Sequence, residues 1–302
     1  MTDKTAIITG ANTGLGFECA RALLESDPGW HVVLAVRDTE RGADAAARLD
    51  APGRTTVGEL DLASLQSVRN FAAGLPHRGL PPLRALVCNA GLQLVAGAQT
   101  TADGYEMTFG VNHLGHFALV QQVLAALTAP ARIVVVSSGT HDPARFTGMP
   151  APQYNSAEEL LRPPPGGLTG EEGRRRYTTS KLCNMLFSYE LDRRLGHGAG
   201  GITVNAFDPG LMPGSGLARD YSGIQRLAWR LLMPALRVLP NVNSTRRSGA
   251  NLAAVVADPG LDGVTGAYFE GTRRIRSSRD SYDEAKAADL WQVSERLVPA
   301  VH

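Results

Sequence analysis

The chain has 302 residues, of which 43% are hydrophobic, so it can bury a sizeable core in one large domain or two. Its 30 basic and 29 acidic residues leave a formal charge of +1, and no strong overall field favours nucleic acid or an anionic surface. No apolar run approaches the ~20 residues of a membrane span, and the opening residues lack a signal-peptide pattern, so we expect no integral membrane segment.

The predicted strands are short β-branched or apolar runs that alternate with longer helical stretches. Several are apolar on consecutive residues, which a strand buried on both faces of a parallel sheet requires. The strands are predicted at 5–9, 31–36, 55–60, 84–89, 132–137, 202–207 and 266–271. Helices are predicted at 16–26, 64–75, 116–127 and 248–258. This order predicts one doubly wound, Rossmann-type α/β domain over residues 1–302, with a mostly parallel seven-stranded sheet.

Two segments interrupt the alternation. Residues 139–176 are rich in Pro, Gly and Arg, and we predict a functional loop there. Residues 211–247 carry apolar residues and arginines at helical spacing, which indicates either a lid over an apolar substrate or a basic amphipathic helix that touches a membrane surface weakly. We favour the lid. The chain then ends in a predicted helix, 281–298, where Ser281 and Glu284 have the spacing of a capping box.

The three cysteines, Cys19, Cys88 and Cys183, form no close pair and no metal-like spacing. An odd number of thiols in a chain of this length favours a reducing, cytoplasmic location. We interpret all three as small core residues.

A glycine-rich turn, "TGANTGLG", follows the first predicted strand and precedes an amphipathic helix. Glycines at 10, 14 and 16 let the backbone turn tightly and approach a pyrophosphate, whose charge the amides at the helix N-terminus can meet. The position of this turn at the start of a βα series predicts dinucleotide binding.

The end of the second strand predicts which dinucleotide is bound. An acidic residue there would bond a ribose hydroxyl, whereas an arginine accommodates a 2′-phosphate. Val36 ends the strand and Arg37 follows, so NADP(H) is favoured over NAD. We expect Asp38 to point outward and cap the helix that starts near Thr39. The alternative is that Arg37 is a solvated surface charge.

Tyr177 and Lys181 stand four residues apart in "YTTSK", so on a helix they share one face. A nearby ammonium favours a phenolate, and we expect Lys181 to move the pKa of Tyr177 from ~10 toward neutrality. Such a phenol can supply the proton that an alkoxide needs after hydride reaches a carbonyl.

Seven segments in order together resemble the short-chain dehydrogenase/reductase family. They are "TGANTGLG", "LDLAS", "CNAG", "VNHLG", "VVSS", "YTTSK" and "FDPGL". The resemblance implies four catalytic residues, Asn112, Ser138, Tyr177 and Lys181, with Ser137 as the alternative to Ser138. It implies that Ser138 bonds the substrate oxygen, that Lys181 also holds the nicotinamide ribose, and that Asn112 fixes a water in a relay to Lys181.

The resemblance and the turn chemistry together give a set of coenzyme-binding residues. The set is Gly10, Asn12, Thr13, Gly14, Leu15, Gly16, Arg37, Asp61, Leu62, Asn89, Ala90, Gly91, Tyr177, Lys181, Pro209, Gly210 and Leu211.

Within the family, "DLASLQSVRNF", "VNHLGHFAL", "SKLCNM" and the C-terminal segment are similar to a branch that contains light-dependent protochlorophyllide reductases, retinol dehydrogenases and related NADP-linked carbonyl reductases. "SSGTH" is more similar to the retinol dehydrogenases. The chain departs from the protochlorophyllide reductases at Leu211, where they carry a cysteine after the Pro-Gly, and at Gly214 and Ser215, where they carry two threonines.

Three hypotheses of function remain. The first is an NADP(H)-dependent reductase of a carbonyl on a bulky apolar molecule, or a dehydrogenase of the corresponding alcohol. The second is light-driven reduction of a tetrapyrrole double bond, and the third is an NADP-binding protein without turnover. His113, His116 and His141 lie on different predicted elements without ligand spacing, so we predict no metal site. The sequence leaves monomer and homo-oligomer open.

Overall fold

The computed structural model describes residues 2–97, 99–212 and 243–298. Its strands form one eight-stranded sheet in the order β3-β2-β1-β4-β5-β6-β7-β8. The strands are β1 (Lys4–Thr9), β2 (Trp30–Val36), β3 (Thr55–Glu59), β4 (Leu83–Cys88), β5 (Leu127–Val136), β6 (Ile202–Asp208), β7 (Ala267–Glu270) and β8 (Arg273–Ile275). The predicted fold class is therefore confirmed. The sheet has one strand more than predicted, because the short β8 pairs antiparallel with β7.

Helices cover both faces of the sheet. They are α1 (Gly14–Ser26), α2 (Thr39–Leu49), α3 (Leu65–Gly74), α4 (Met107–Phe109), α5 (Gly115–Val123), α6 (Ala157–Leu160), α7 (Gly170–Arg194), α8 (Thr245–Ala257) and α9 (Glu284–Leu297). Buried side chains form one large cluster on each face, and the predicted core cysteines are all buried. Among the described helices, none is both long and apolar enough to cross a membrane.

The strand order reverses beside β1, which pairs in parallel with β2 on one side and β4 on the other. In an open α/β sheet, ligands bind at the carboxyl ends of the strands where the order reverses. The turn after β1 and the segment after β4 both lie at this position, so the topology brings two of the predicted motifs together.

The prediction of an unstructured loop over 139–176 is wrong at its C-terminal end. Helix α7 begins at Gly170, with Thr169 as its N-cap, and a short helix, α6, lies earlier in the segment. The glycines made "GLTGEEG" look irregular. Gly173 nevertheless lies inside α7. The residue is a glycine because a Cβ there would collide with the backbone oxygen of Leu94.

The predicted capping box at the C-terminal helix is also wrong. Helix α9 begins at Glu284, and the Asp283 carboxylate accepts from the amides of Ala285 and Lys286, both at 3.0 Å. Ser281 lies in a preceding 3-10 turn, where its hydroxyl donates to the backbone oxygen of Ser278. Asp283 caps the helix instead of Ser281, because its carboxylate lies directly before the first turn and accepts from two amides there.

Most of the predicted lid, 211–247, lies outside the described residues, together with Gly214 and Ser215. Two parts of it are described: Leu211 with Met212, and the residues from Asn243 into α8. The apolar residues on which the lid prediction depends all lie between 217 and 233, outside the described ranges, so the lid stays a prediction.

Candidate active site

The glycine-rich turn joins β1 to α1 with its predicted residues, Gly10 to Gly16, at the carboxyl edge of the sheet. Gly10 has φ of +65°, which favours glycine. A Cβ on Gly16 would lie 2.6 Å from Nδ2 of Asn89, so only glycine allows α1 to approach the segment after β4. The N-cap residue Thr13 is exposed and makes no side-chain cap, which leaves the first amides of α1 open toward the cleft. These features fit a pyrophosphate.

The Asn89-Ala90-Gly91 segment is held against this turn by hydrogen bonds. Nδ2 of Asn89 donates to the backbone oxygen of Thr9 at 2.7 Å, and the amides of Asn89 and Ala90 both donate to the Thr9 hydroxyl at 2.9 Å. His116 completes the set, with Nε2 at 2.9 Å from the same hydroxyl. Sequence reasoning missed these roles of Thr9 and His116, because the contacts that define them join residues far apart in the chain.

Two further predicted segments line the same edge. Asp61 and Leu62 follow β3, where the Asp61 carboxylate accepts from the amide of Ala63 at 3.0 Å and Leu62 is buried. Arg37 follows β2 and is exposed. Asp38 caps α2 as predicted, since its carboxylate accepts from the amide of Arg41 at 3.0 Å. The Asp38 carboxylate is therefore engaged at the start of α2, and Arg37 forms no ion pair within the part of the chain that the structure describes.

Tyr177 and Lys181 lie on α7, are both buried, and face the segment after β4. Nζ of Lys181 lies 5.6 Å from the centroid of the Tyr177 ring and donates to the backbone oxygen of Val136 at 3.3 Å. A Cβ on Gly91 would lie 3.5 Å from this Nζ and 3.3 Å from Oδ1 of Asn112. Gly91 thus keeps open a small space onto which an ammonium and an amide converge.

The electrostatics of the pair differ from the sequence prediction. Burial raises the pKa of the Tyr177 phenol above its usual range, and the carboxylate of Asp208 raises it further. Burial also lowers the pKa of the Lys181 ammonium to about 8, although Asp208 opposes this change. The expectation that Lys181 brings the Tyr177 pKa toward neutrality is therefore wrong for the protein alone, because desolvation disfavours both charged forms.

Asn112 lies in a π-helical turn, Gly110–Leu114, between α4 and α5. Such turns occur often at functional sites, since the extra residue redirects a side chain. Asn112 is completely buried; its Nδ2 donates to the backbone oxygen of Leu92 and the hydroxyl of Ser180, both at 2.9 Å, and its Oδ1 accepts from the amide of Leu92 at 2.8 Å. Asn112 thus joins the segment after β4 to α7 beside Lys181.

The two serines after β5 point in different directions. The Ser137 hydroxyl is buried and donates to the backbone oxygen of Lys181 at 2.8 Å, so it is already engaged. Ser138 is half-buried, and its hydroxyl oxygen accepts only a long bond, 3.3 Å, from the amide of Thr140 among the described residues. Of the two hydroxyls, that of Ser138 is the less buried and the less engaged.

The predicted Pro209-Gly210-Leu211 segment follows β6, and its turn is fixed by two neighbours. The hydroxyl of Ser248 donates to the backbone oxygen of Pro209 at 2.7 Å, and the amide of Gly210 donates to Oδ1 of Asp208 at 2.9 Å. Leu211 is exposed. The predicted coenzyme-binding residues thus all lie after strands β1 to β4 and β6 or on α7, at one edge of the sheet.

A buried group of charges below Ser138 was missed from the sequence. Arg145 forms ion pairs with Asp208, at 3.5 Å, and with Glu270. The Tyr268 hydroxyl donates to Asp208 at 3.1 Å, and Gly139, the residue after Ser138, lies against both Arg145 and Asp208. Burial raises the pKa of Asp208, while the amide of Gly210 and the hydroxyl of Tyr268 oppose this.

His113, His116 and His141 each form hydrogen bonds to other parts of the fold. His141 lies 2.6 Å from the backbone oxygen of Ser138 through Nδ1, and its Nε2 accepts from the amide of Ser278 at 3.1 Å, so Nδ1 is the donor. His113 contacts the Ser294 hydroxyl at 2.9 Å. Within the described ranges no three His, Cys, Asp or Glu side chains come together as metal ligands.

A cavity of about 610 Å³ opens beside the first turns of α7, next to the segment that follows Ser138. Its walls include Pro143, Phe146 and Met149, and two guanidinium groups, Arg145 and Arg174, line it. Phe146 is fully exposed. Of the residues that line it, Arg174 stands three residues before Tyr177 on α7.

A reversed strand order, an open glycine turn at the reversal and a buried tyrosine and lysine beside it define a dinucleotide-binding oxidoreductase. The family profile described as "short chain dehydrogenase" matches residues 4–151. The chain is 40% identical to the WW domain-containing oxidoreductase of Danio rerio over 99% of its own length and 69% of the relative. The chain belongs to the short-chain dehydrogenase/reductase family.

Other relatives and structures agree with this membership. Protochlorophyllide reductase A of Oryza sativa subsp. japonica is 38% identical over 98% of this chain and 80% of its own length. The structure of an uncharacterized protein from Mycobacterium paratuberculosis aligns with a TM-score of 0.68 and 31% identity, covering 98% of this chain and 94% of that one. A blue fluorescent protein from a metagenomic library, in complex with NADPH, aligns with a TM-score of 0.63 and 25% identity, covering 89% of this chain and 96% of its own.

Proposed function

We propose that the protein is an NADP(H)-dependent oxidoreductase that reduces a carbonyl group on a bulky apolar molecule or oxidises the corresponding alcohol. One observation carries this proposal. Tyr177 and Lys181 are buried side by side on α7, facing Asn112 and the open space at Gly91. A buried phenol beside an ammonium is suited to proton transfer in a cleft that excludes water.

Ser138, Tyr177, Lys181 and Asn112 each have a separate role in the proposed reaction. NADPH, when bound, supplies the hydride that reaches the carbonyl carbon. Tyr177 gives its phenolic proton to the carbonyl oxygen, which keeps the product neutral, and Ser138 holds that oxygen with a hydrogen bond. Lys181 provides positive charge beside the phenol while the proton leaves. Asn112 holds α7 against the segment after β4 through its hydrogen bonds to Ser180 and Leu92.

The preference for NADP(H) depends on Arg37. No acidic side chain ends β2, since Val36 is its last residue, and the exposed guanidinium that follows can bind a phosphate bidentately. The neighbouring structure of the metagenomic blue fluorescent protein holds NADPH, which supports the same choice.

The apolar substrate is supported by the cavity beside α7, whose walls include proline, phenylalanine and methionine side chains. The predicted lid supplies Leu217, Ile224, Leu227, Trp229, Leu231, Leu232 and Met233, which lie outside the described residues. An apolar carbonyl compound gains most from such walls because burying its surface is worth about 25 cal/mol per Å².

A second candidate is light-dependent reduction of protochlorophyllide. It is supported by the 38% identity to the rice protochlorophyllide reductase along almost the whole chain. It is weakened by Leu211, the position at which the resemblance implies a cysteine. A coenzyme-binding protein without turnover is a third candidate, and the retained set of Ser138, Tyr177 and Lys181 argues against it.

We also propose a reducing, cytoplasmic location, because Cys19, Cys88 and Cys183 are all unbridged and buried. The partner we expect is a small hydrophobic carbonyl or alcohol, with no role for nucleic acid. The charge balance of the chain supports this.

The test is NADPH oxidation measured in two assays. One uses apolar aldehydes and ketones in the dark, from small to bulky, and the other uses protochlorophyllide under illumination. We expect dark turnover that favours the bulky carbonyls. Activity confined to the illuminated assay would promote the photoenzyme, and inactivity in both would favour the protein without turnover.

A further inference from the structure

The cavity beside α7 contains a cation whose charge no described residue balances. Arg174 lies three residues before Tyr177, and positions i and i+3 lie on the same side of a helix. Its side chain is half-buried, and the wall around it combines the apolar side chains of Pro143, Phe146 and Met149 with the carboxylate of Glu171, which is paired with Arg175. Arg174 is therefore the residue of the cavity that shares a side of α7 with Tyr177.

The neighbouring arginines are all committed to carboxylates. Arg175 pairs with Glu171 at 2.6 Å, and Arg176 pairs with Glu172 at 3.1 Å. The other guanidinium of the cavity, Arg145, is held by two carboxylates on β6 and β7. Arg174 has neither an ion pair nor a side-chain hydrogen bond to any residue in the ranges 2–97, 99–212 and 243–298.

A half-buried guanidinium with free donors is a site for an anion. Its planar fork matches a carboxylate with two parallel hydrogen bonds, and the apolar side chains beside it can contact the apolar part of the same ligand. One free guanidinium balances one carboxylate. A phosphate dianion would need a second cation, and the charge of Arg145 is already neutralised.

We infer that Arg174 binds a carboxylate of the substrate, so that the substrate class is an apolar carbonyl compound with an acid group. This inference deepens the proposed function and depends on it for the reaction, although the binding site itself can be tested without turnover. Arg174 acts as a specificity residue, and the proton transfer stays with Tyr177.

The binding test uses phenylbutyrate, an apolar acid without a reducible carbonyl, and its neutral amide. Each is titrated calorimetrically into the full chain with NADPH present, for the wild type, Arg174→Gln and Arg69→Gln. We expect the wild type to prefer the acid and Arg174→Gln to lose about tenfold in affinity for it. Arg69→Gln removes the same charge from α3, where the guanidinium donates to Gln66 of the same helix, and should keep the preference. Equal affinities for acid and amide in the wild type, or a preference that Arg174→Gln leaves intact, would overturn the inference.

The turnover test uses benzoylpropionate and its methyl ester. The ratio of kcat/KM for the acid over the ester should fall about tenfold in Arg174→Gln, mainly through the KM of the acid, and Arg174→Lys should restore part of it. If both ketones are reduced and this ratio does not change, carbonyl reduction stands and the carboxylate site is wrong. If neither ketone is reduced but phenylbutyrate binding still requires Arg174, the carboxylate site stands and the proposed reaction is wrong.

Discussion

Tyr177 and Lys181 are pushed by burial in the same direction, toward their uncharged forms. The phenol keeps its proton because its pKa is raised, and the ammonium, with a pKa of about 8, is mostly charged at pH 7 and loses its proton just above that pH. A tyrosine that holds its proton until an alkoxide forms is a suitable acid for carbonyl reduction. Lys181 is then the group whose charge responds to its surroundings.

Tyr177→Phe removes only the phenolic hydroxyl. We expect kcat for a carbonyl substrate to fall about 10²-fold or more, because general acid catalysis is lost, while NADPH affinity stays close to that of the wild type. Lys181→Ala should reduce both. Stopped-flow turnover and fluorescence titration of NADPH separate these effects.

The matched variant for this prediction is Tyr154→Phe. The Tyr154 hydroxyl donates to Asp289 of α9 at 2.7 Å, so its loss acts on packing and not on the reacting atoms. Turnover by Tyr154→Phe should stay near that of the wild type. Retention of most of the rate in Tyr177→Phe would show that another group is the acid.

Arg37→Ala tests the coenzyme preference. A charge-assisted contact to the 2′-phosphate is worth about 1.5–3 kcal/mol, so NADPH should bind about tenfold or more weakly, with little change for NADH. Affinities for both coenzymes are measured by titration. Arg69→Ala, a half-buried arginine on α3 whose guanidinium donates to Gln66 of the same helix, is the charge control and should change neither affinity. Equal losses for NADPH and NADH in Arg37→Ala would contradict the assignment.

The element that carries Ser138 is fixed by contacts between distant parts of the chain. Arg145, seven residues after Ser138, pairs with Asp208 at the end of β6 and Glu270 at the end of β7. The ring of His141 packs edge-on against Tyr268 of β7 with centroids 5.2 Å apart. The turn after β5 is thus attached to the carboxyl ends of two neighbouring strands.

Arg145→Gln should lower the free energy of unfolding by about 3 kcal/mol, because it leaves the buried carboxylate of Asp208 without its cation and, among the described residues, leaves Glu270 with only the exposed Arg273. Urea denaturation measures the loss. Arg273→Gln is the matched control: it removes an arginine that pairs with the same Glu270 at 3.2 Å but whose side chain is 75% exposed. Its loss should be at most about 1 kcal/mol. Similar losses in both variants would show that the buried pairing has no special weight.

The strands and the cofactor turn were predictable because their signals are local. A run such as Val32 to Val36 needs no information beyond its own residues to indicate a buried strand. The charge group below Ser138 could not be predicted, since Arg145 stands 63 residues from Asp208 and 125 from Glu270 in the sequence. The start of α7 was predicted wrongly for a related reason. Gly173 is a glycine because it packs against Leu94, which lies in the distant segment after β4.

At the scale of the whole molecule, helix α9 packs against helices α5 and α7 through an aromatic cluster. Trp291 of α9 packs edge-on against Phe117 of α5, with centroids 5.0 Å apart, and stacks with Phe187 of α7 at 6.1 Å. His113 lies in the same aromatic cluster and contacts Ser294 of α9. The C-terminal residues therefore complete the core on the face of the sheet where Asn112 and α7 lie.

Buried neutral histidines make this core sensitive to acid. Burial lowers the pKa of His113 to about 3 and that of His116 to about 4. In the unfolded chain each has a pKa of about 6.5, so below that pH the unfolded state binds protons that the folded state does not. The free energy of unfolding contributed by each histidine should therefore decrease as the pH falls from about 6.5 toward its folded pKa.

We predict that His113→Gln flattens the dependence of unfolding free energy on pH by about 1 kcal/mol per pH unit in this window, whatever its effect at pH 7. Urea denaturation at several pH values measures the slope, which a change in packing alone would not alter. His77→Gln, at an exposed position, is the control and should keep the wild-type slope. A slope for His113→Gln that equals that of the wild type would mean that His113 titrates alike in the folded and unfolded chain, and the acid sensitivity would then have to originate outside the aromatic core.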